Sequence, residues 1–417
     1  MPRRQRWTPV KGTANRVYDP RERALLRAFD LAGSAALGLG GLVGWRRRPE
    51  ATALADLREV LVLRLDRIGD VLMSLPALAD LRQALPRARI RLAVGRWSED
   101  VARSAPVDEL LVWSAPWAGR PSEGALSLAA LLGKARELRG ARLDLALDLQ
   151  GDVRANLLAW QSGARRRVGY ANSGGGFLLT GVVDLDESVS WVEQNRRAVA
   201  AALGAPAGEA PCDPLTDEDR AFAARLFENL GLERARPVVA IHPSGGRLVK
   251  QWPIERWAEV ARVLQLRWGA SLLVTGSAAD AALARQLQAG LPRRPFDLTG
   301  KLGVRETMAV LSRLDLFLSP DTGPMHMACA VGAPSVSVFG PSDSVRYFSG
   351  GSGAAGTRHV VVRAELWCAP CNLIRLPPGE CAGPEPPECL RLVEPARVLA
   401  PAAALLEARG FRPRELP

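Results

Sequence analysis

Four strand-to-helix turns carry the residue types that could do chemistry. In Leu65-Asp66-Arg67-Ile68-Gly69-Asp70, the last aspartate opens a helical run. Asp is the commonest kind of N-cap, and spacing alone leans that way. The other reading is a general base, because an ordinary carboxylate pKa of about 3.9 leaves the group charged and able to take a proton from a sugar hydroxyl. The second turn runs from His242 to Pro253. Ser244 and Gly245 free backbone amides for a phosphate, and Lys250 brings a point charge just before a helix that begins at Pro253. A glycine-rich loop with a solvated lysine fits the same residues. In the third turn, Asp321 caps, Thr322 and Gly323 follow, Pro324 begins a helix, and His326 lies about a turn in. Such a helix start points amides and partial positive charge at a ligand, while a histidine packed on the sheet is the plainer account of His326. The fourth turn, residues 275–280, ends in Asp280, placed either to reach a ribose hydroxyl or to cap the next helix.

The elements that must hold these turns alternate strand and helix. "EVLVLRL" (59–65) is a continuous apolar run, as in a strand buried on both faces of a parallel sheet. "RIRLAV", "ELLVW" and "LDLALDL" continue the series, and "RPVVAIHPSGG" (236–246) starts a second one with "SLLVTGS", "PFDLTG", "DLFLSPDTG" and "PSVSVFGP". The alternation predicts an α/β chain of two doubly wound Rossmann-like domains, with the cleft between them as the default ligand site. The expected organisation is an extension over 1–56, a first domain over 57–215, a linker over 216–235, a second domain over 236–400 and a tail over 401–417. No dinucleotide fingerprint, Walker loop, HExxH or nucleophile elbow occurs, which argues against dehydrogenase, P-loop, metalloprotease and serine-hydrolase chemistry.

The chain has 417 residues and a net charge of +11, but the charge is concentrated. Residues 1–50 hold ten arginines and Lys11 against four acids, a net of +7. The run Leu31–Trp45 is uncharged and closes on Arg46, Arg47 and Arg48. Fifteen residues fall short of the roughly 20 that span a bilayer. Two readings stand near even: a segment lying on an anionic membrane surface, and a tail with a short docked helix. Nucleic acid ranks below both, for want of interleaved aromatics. Four of the six cysteines, Cys368, Cys371, Cys381 and Cys389, fall in a proline-rich stretch (366–390). Structural zinc is one reading of these four thiols; disulfides or free thiols together weigh about as much.

Several segments, in order, resemble the ADP-heptose:lipopolysaccharide heptosyltransferases of glycosyltransferase family nine. They are "VLRLDRIGDVLMSLPAL", "DLQGDVRANLLAWQSGARRRVGY", "HPSGGRLVKQWPIERW", "DLTGKLGVRETMAVLSRLDLFLSPDTGPMHMACAVGAPSVSVFGPSD" and "WCAPCN", covering about residues 57–400. The resemblance implies a GT-B fold and metal-independent, inverting transfer from a nucleotide-diphosphate sugar to a lipid-linked glycan, on the inner face of the plasma membrane. It implies Asp70 as base on the acceptor hydroxyl, Lys250 neutralising the donor diphosphate, and Asp321, Thr322 and Gly323 holding it, with His326 in the same motif. Asp280 stands where the family often has a glutamate near the ribose. Two alternatives remain: a nucleotide-sugar epimerase of the same fold, and a non-catalytic module docking a basic arm on membranes or nucleic acid.

Overall fold

The computed structural model describes residues 24–35, 56–117, 125–348 and 358–415, less Leu25, Ala207, Glu209, Pro211, Ala235, Arg375, Leu376 and Pro378. Two compact units emerge, the first of residues 1–187 and 192–212, the second of 188–191 and 213–417.

Each unit is built on one parallel six-stranded sheet. The first comprises β1 (Glu59–Arg64), β2 (Arg89–Val94), β3 (Glu109–Val112), β4 (Leu145–Asp148), β5 (Arg166–Gly169) and β6 (Gly181–Val182), in the order β3-β2-β1-β4-β5-β6. The second comprises β7 (Val238–Ile241), β8 (Ser271–Val274), β9 (Phe296–Asp297), β10 (Leu316–Pro320), β11 (Ser335–Phe339) and β12 (His359–Arg363), in the order β12-β11-β10-β7-β8-β9. Both are the same doubly wound order, so β1/β4 and β7/β10 are the points where the winding reverses and ligands bind. The strands are apolar because helices cover both faces: Val60 to Leu63 are fully buried, as are Val238 to Ile241.

The two units also share a device at the amino edge of the sheet. Asp144, just before β4, accepts the amides of Arg58 and Glu59 at 2.9 and 3.1 Å, fixing the start of β1. Asp315, just before β10, accepts the Val238 amide at 2.8 Å and pairs with Arg236 and Arg409.

Two segments set outside the expected domains are part of the second unit. Residues expected as a linker contain the helix Asp217–Asn229, opened by a Thr216–Asp219 capping box, and Arg305 pairs with Asp219 inside the second unit. The expected tail from 401 begins inside the helix Pro395–Ala408, whose Val398, Ala402, Leu405 and Leu406 recur at helical spacing and are buried in the second unit's core. Among the described residues of the extension, 26–35 are helical. Asp30 accepts the Gly175 amide at 2.6 Å, and the Phe29 and Phe177 rings lie 5.1 Å apart. The rest of the apolar run, 36–45, lies outside the described residues. Among those described, no helix is long and apolar enough to cross a membrane.

Candidate functional site

In the first unit the turn after β1 enters a five-residue helix, Ile68–Leu72, whose N-cap is Arg67. Asp70 is therefore the third helical residue, not the cap. Its Oδ2 accepts the Arg67 amide at 3.2 Å, and the side chain stays a quarter exposed. Behind it stands Arg64, a buried arginine at the end of β1 with Nη2 3.8 Å from Asp70 Oδ1 and Nε 3.3 Å from Asp66 Oδ1. Across the switch point, Asp148 at the end of β4 is fully buried and accepts the Gln150 and Gly151 amides at 2.9 Å each. Burial pushes its carboxyl up to about 7, against the pull of those two amides. Gly151 must be glycine there: its φ is +74°, and a Cβ would stand 2.3 Å from Asn172 Oδ1.

The second unit gathers its residues from three loops. After β7, the chain turns back so tightly that a Cβ on Gly245 would meet the Lys250 and Gln251 backbone at 2.5 Å. This fold-back delivers Lys250, in a short 3-10 turn, to Asp321 after β10: Nζ lies 2.9 Å from Oδ2. Burial acts to raise the Asp321 carboxyl, but Lys250 and His326 outweigh it and hold the group below the usual range. Asp321 is consequently spent on Lys250 and does not cap. The helix Gly323–Ala330 has Thr322 as its N-cap, without a side-chain cap bond, so its first amides are not taken by a cap side chain. A Cβ at Gly323 would meet no protein atom within 4 Å, so no protein neighbour demands glycine there. His326 is buried in this helix. Pro253, expected as the first helical residue, is instead the N-cap of Ile254–Trp268.

Asp280, in the loop after β8, is the third residue of a 3-10 turn and the N-cap residue of the helix Ala281–Ala289. Its Oδ2 accepts the Ser277 amide and hydroxyl, both at 2.7 Å. Burial is outweighed by the Ser244 and Ser277 side chains and the Ser277 amide, so the carboxyl is held low. Beneath them His242 lies 3.3 Å by Nδ1 from Thr275 Oγ1, and burial holds the ring down to about 4, so it is neutral at pH 7. The structure thus brings Ser244, Gly245, Lys250, Asp280, Asp321, Thr322 and His326 to the carboxyl edge of one sheet. Sequence reading passed over Arg64, Asp148, His242 and Thr275. A charged residue inside an otherwise apolar strand was the available signal for Arg64.

The comparisons with known proteins bear directly on this arrangement. The pattern of glycosyltransferase family 9 (heptosyltransferase) matches residues 132–375. The chain belongs to that family. It is a glycosyltransferase of the GT-B fold, with one doubly wound sheet in each unit. Among its relatives is the lipopolysaccharide core heptosyltransferase OpsX of Haemophilus influenzae, 24% identical over 69% of this chain and 81% of the relative. The crystal structure of a family 9 glycosyl transferase from Veillonella parvula superposes with a TM-score of 0.71, at 23% identity over 85% of this chain and 98% of that one. E. coli ADP-heptose lps heptosyltransferase II follows at 0.65 and 21% identity, over 84% and 99%. In this family 9 chain all six cysteines are free. Cys368, Cys371 and Cys381 each act to raise the buried Cys389 thiol, after burial itself, to about 12. Among the described residues no group of three or more His, Cys, Asp or Glu side chains is placed to hold a metal ion.

Proposed function

We propose that the chain moves a heptose from ADP-heptose onto a lipopolysaccharide-type glycan, in one inverting displacement and without a metal ion. The observation that carries this reading is the Lys250–Asp321 pair beside the helix Gly323–Ala330. A donor diphosphate carries more charge than one carboxylate and takes the ammonium over, while the helix amides receive its oxygens. In the transition state the bond from the anomeric carbon to phosphate breaks and its electron pair leaves with the nucleoside diphosphate. Lysine and amides aimed at those oxygens favour that state over the ground state, which is the electrostatic work a metal ion does elsewhere. Asp280, held by the Ser277 amide and hydroxyl, is the group for the donor ribose.

Asp70, partly exposed at the winding reversal of the first sheet, takes the proton of the acceptor hydroxyl as its oxygen bonds to the anomeric carbon. A single displacement of this kind inverts that carbon. The adenine and heptose assignments draw on the relatives, among them the E. coli enzyme described as ADP-heptose lps heptosyltransferase II. The acceptor is lipid-linked, and the basic N-terminal arm holds the enzyme on the inner face of the plasma membrane.

Calorimetry with ADP, UDP and GDP, followed by a transfer assay with and without acceptor, tests this. Tight binding of ADP alone and acceptor-dependent ADP release are expected. Binding of none of the three would overturn the enzyme reading, and sugar conversion without acceptor would turn it into an epimerase.

A further inference from the structure

At the carboxyl edge of the first sheet one buried cation faces three carboxylates. Arg64 closes β1 with a side chain only 2% exposed. Backbone carbonyls fix the plane of its guanidinium: Nε donates to the Asp70 carbonyl at 3.1 Å, and Nη1 donates to the Leu149 carbonyl. The same plane meets Asp66 Oδ1 at 3.3 Å and Asp70 Oδ1 at 3.8 Å. Asp66 Oδ1 is buried and receives no hydrogen bond, so the contact with Arg64 is its compensation. The Asp66 carbonyl is held separately, by Trp97 Nε1 at 2.5 Å and Ser98 Oγ at 3.3 Å, which locks the turn while leaving the carboxylate to Arg64. A guanidinium directly after the four fully buried apolar residues Val60 to Leu63 is costly to keep unless it is paired and hydrogen-bonded, as it is here.

We propose that Arg64 is a positioning residue of the transfer reaction: it holds the Asp70 carboxylate in place and divides its charge between Asp70 and Asp66, so that the charge on Asp66 sets how firmly Asp70 is held. The inference rests on the reading of Asp70 as the base. The charged groups at this point are Asp66 on the turn and Asp70 on the helix, both within 4 Å of Arg64, with Asp148 at the end of β4; Asp152 beyond it acts on Asp148 and is paired with Arg154, and Arg67 on the turn is exposed. One guanidinium cannot neutralise the three nearest carboxylates. Burial, opposed by Arg64 and assisted by Asp70 and Asp148, pushes the Asp66 carboxyl up. Protonation of Asp66 hands Arg64 to Asp70, and ionisation draws it away.

Two substitutions should therefore move the same quantity in opposite directions. In the full chain, the acid limb of kcat/KM reports protonation of the base in the free enzyme. Arg64→Met removes the cation and should move that limb to higher pH by half a unit or more, with kcat at least about tenfold lower. Arg64→Lys, which restores charge without the fork, should fall between. Asp66→Asn removes the competitor and should move the limb to lower pH. ADP affinity of the full chain, read by calorimetry, should stay within about twofold in all three, and a wild-type circular-dichroism spectrum and melting curve certify folding. Limbs that stay in place, or that move together, would overturn the inference. Should Arg64→Met not fold, Arg64→Lys and Asp66→Asn decide alone. Asp70→Asn separates the two readings. If it keeps wild-type turnover, the base assignment has failed. If it is inactive while the other variants leave the limb unmoved, only the present inference has failed.

Discussion

Lys250 and Asp321 are 71 residues apart in the chain, yet Nζ of the first lies 2.9 Å from Oδ2 of the second. The pair joins the loops that leave β7 and β10, the two strands flanking the winding reversal of the second sheet. Lys250→Ala would strip the buried Asp321 of its cation and the donor site of its point charge. ADP affinity should fall by about tenfold or more, and the thermal midpoint should drop as well. Calorimetry and a melting curve on the same sample check both; unchanged ADP affinity would remove Lys250 from the donor site.

Asp70→Asn keeps shape and loses only the proposed base. Turnover should fall by about 10² or more, with ADP affinity unchanged, because the donor residues sit in the other unit. Steady-state rates beside ADP calorimetry separate the two effects. A loss confined to ADP affinity would contradict the assignment.

The three histidines make the pH response easy to read. Burial holds His242 and His359 at about 4, whereas an unfolded histidine titrates at about 6.5. A folded pKa below the unfolded one means that the unfolded chain binds more protons between these values. Stability is then complete above about 6.5 and declines as pH falls towards about 4, by up to about 3 kcal/mol for each group. The His242 and His359 ring resonances should stay in their neutral positions down to about pH 5, while denaturant midpoints decrease over the same range. Titration of both rings near 6.5 would contradict the burial argument.

Asp315 is fully buried and joins the start of β7 to Arg236 and, through Arg409, to the end of the helix Pro395–Ala408. Asp315→Ala should destabilise the chain by about 2–3 kcal/mol, the two arginines being exposed enough to recover part of their hydration. Urea unfolding measures this, and a loss below about 0.5 kcal/mol would show the network to be dispensable.

The N-terminal helix leaves Phe29 and Leu31 exposed, 42% and 75%, while Asp30 and the Phe29 ring edge tie it to the Gly175–Phe177 loop. With a net +7 over residues 1–50, this arm should bind anionic vesicles, each arginine near the surface adding roughly 1 kcal/mol. Sedimentation should pellet the full chain at low salt, less of it at high salt, and little of a chain starting at Leu57. Equal pelleting of both chains would clear the arm of an anchoring role.

The alternation of strand and helix, the two-unit plan and the turns that carry Asp70, Lys250, Asp280 and Asp321 were legible in the sequence, because buried parallel strands are apolar runs and helix starts use few residue types. The strands β5 and β12 were not: "RRVG" opens on two arginines, and "HVVVR" is short and bounded by His359 and Arg363. β6 has only two residues and exists through pairing with β5. Local pattern also assigned Asp70 and Asp321 to capping, since a carboxylate before a helix run reads the same whether it meets an amide or a distant cation. Only tertiary structure could decide that Asp321 serves Lys250. The loops that hold Lys250 and Asp321 leave separate strands of a parallel sheet, β7 and β10, and which strands lie side by side is fixed by winding order, a property that no local stretch of sequence contains.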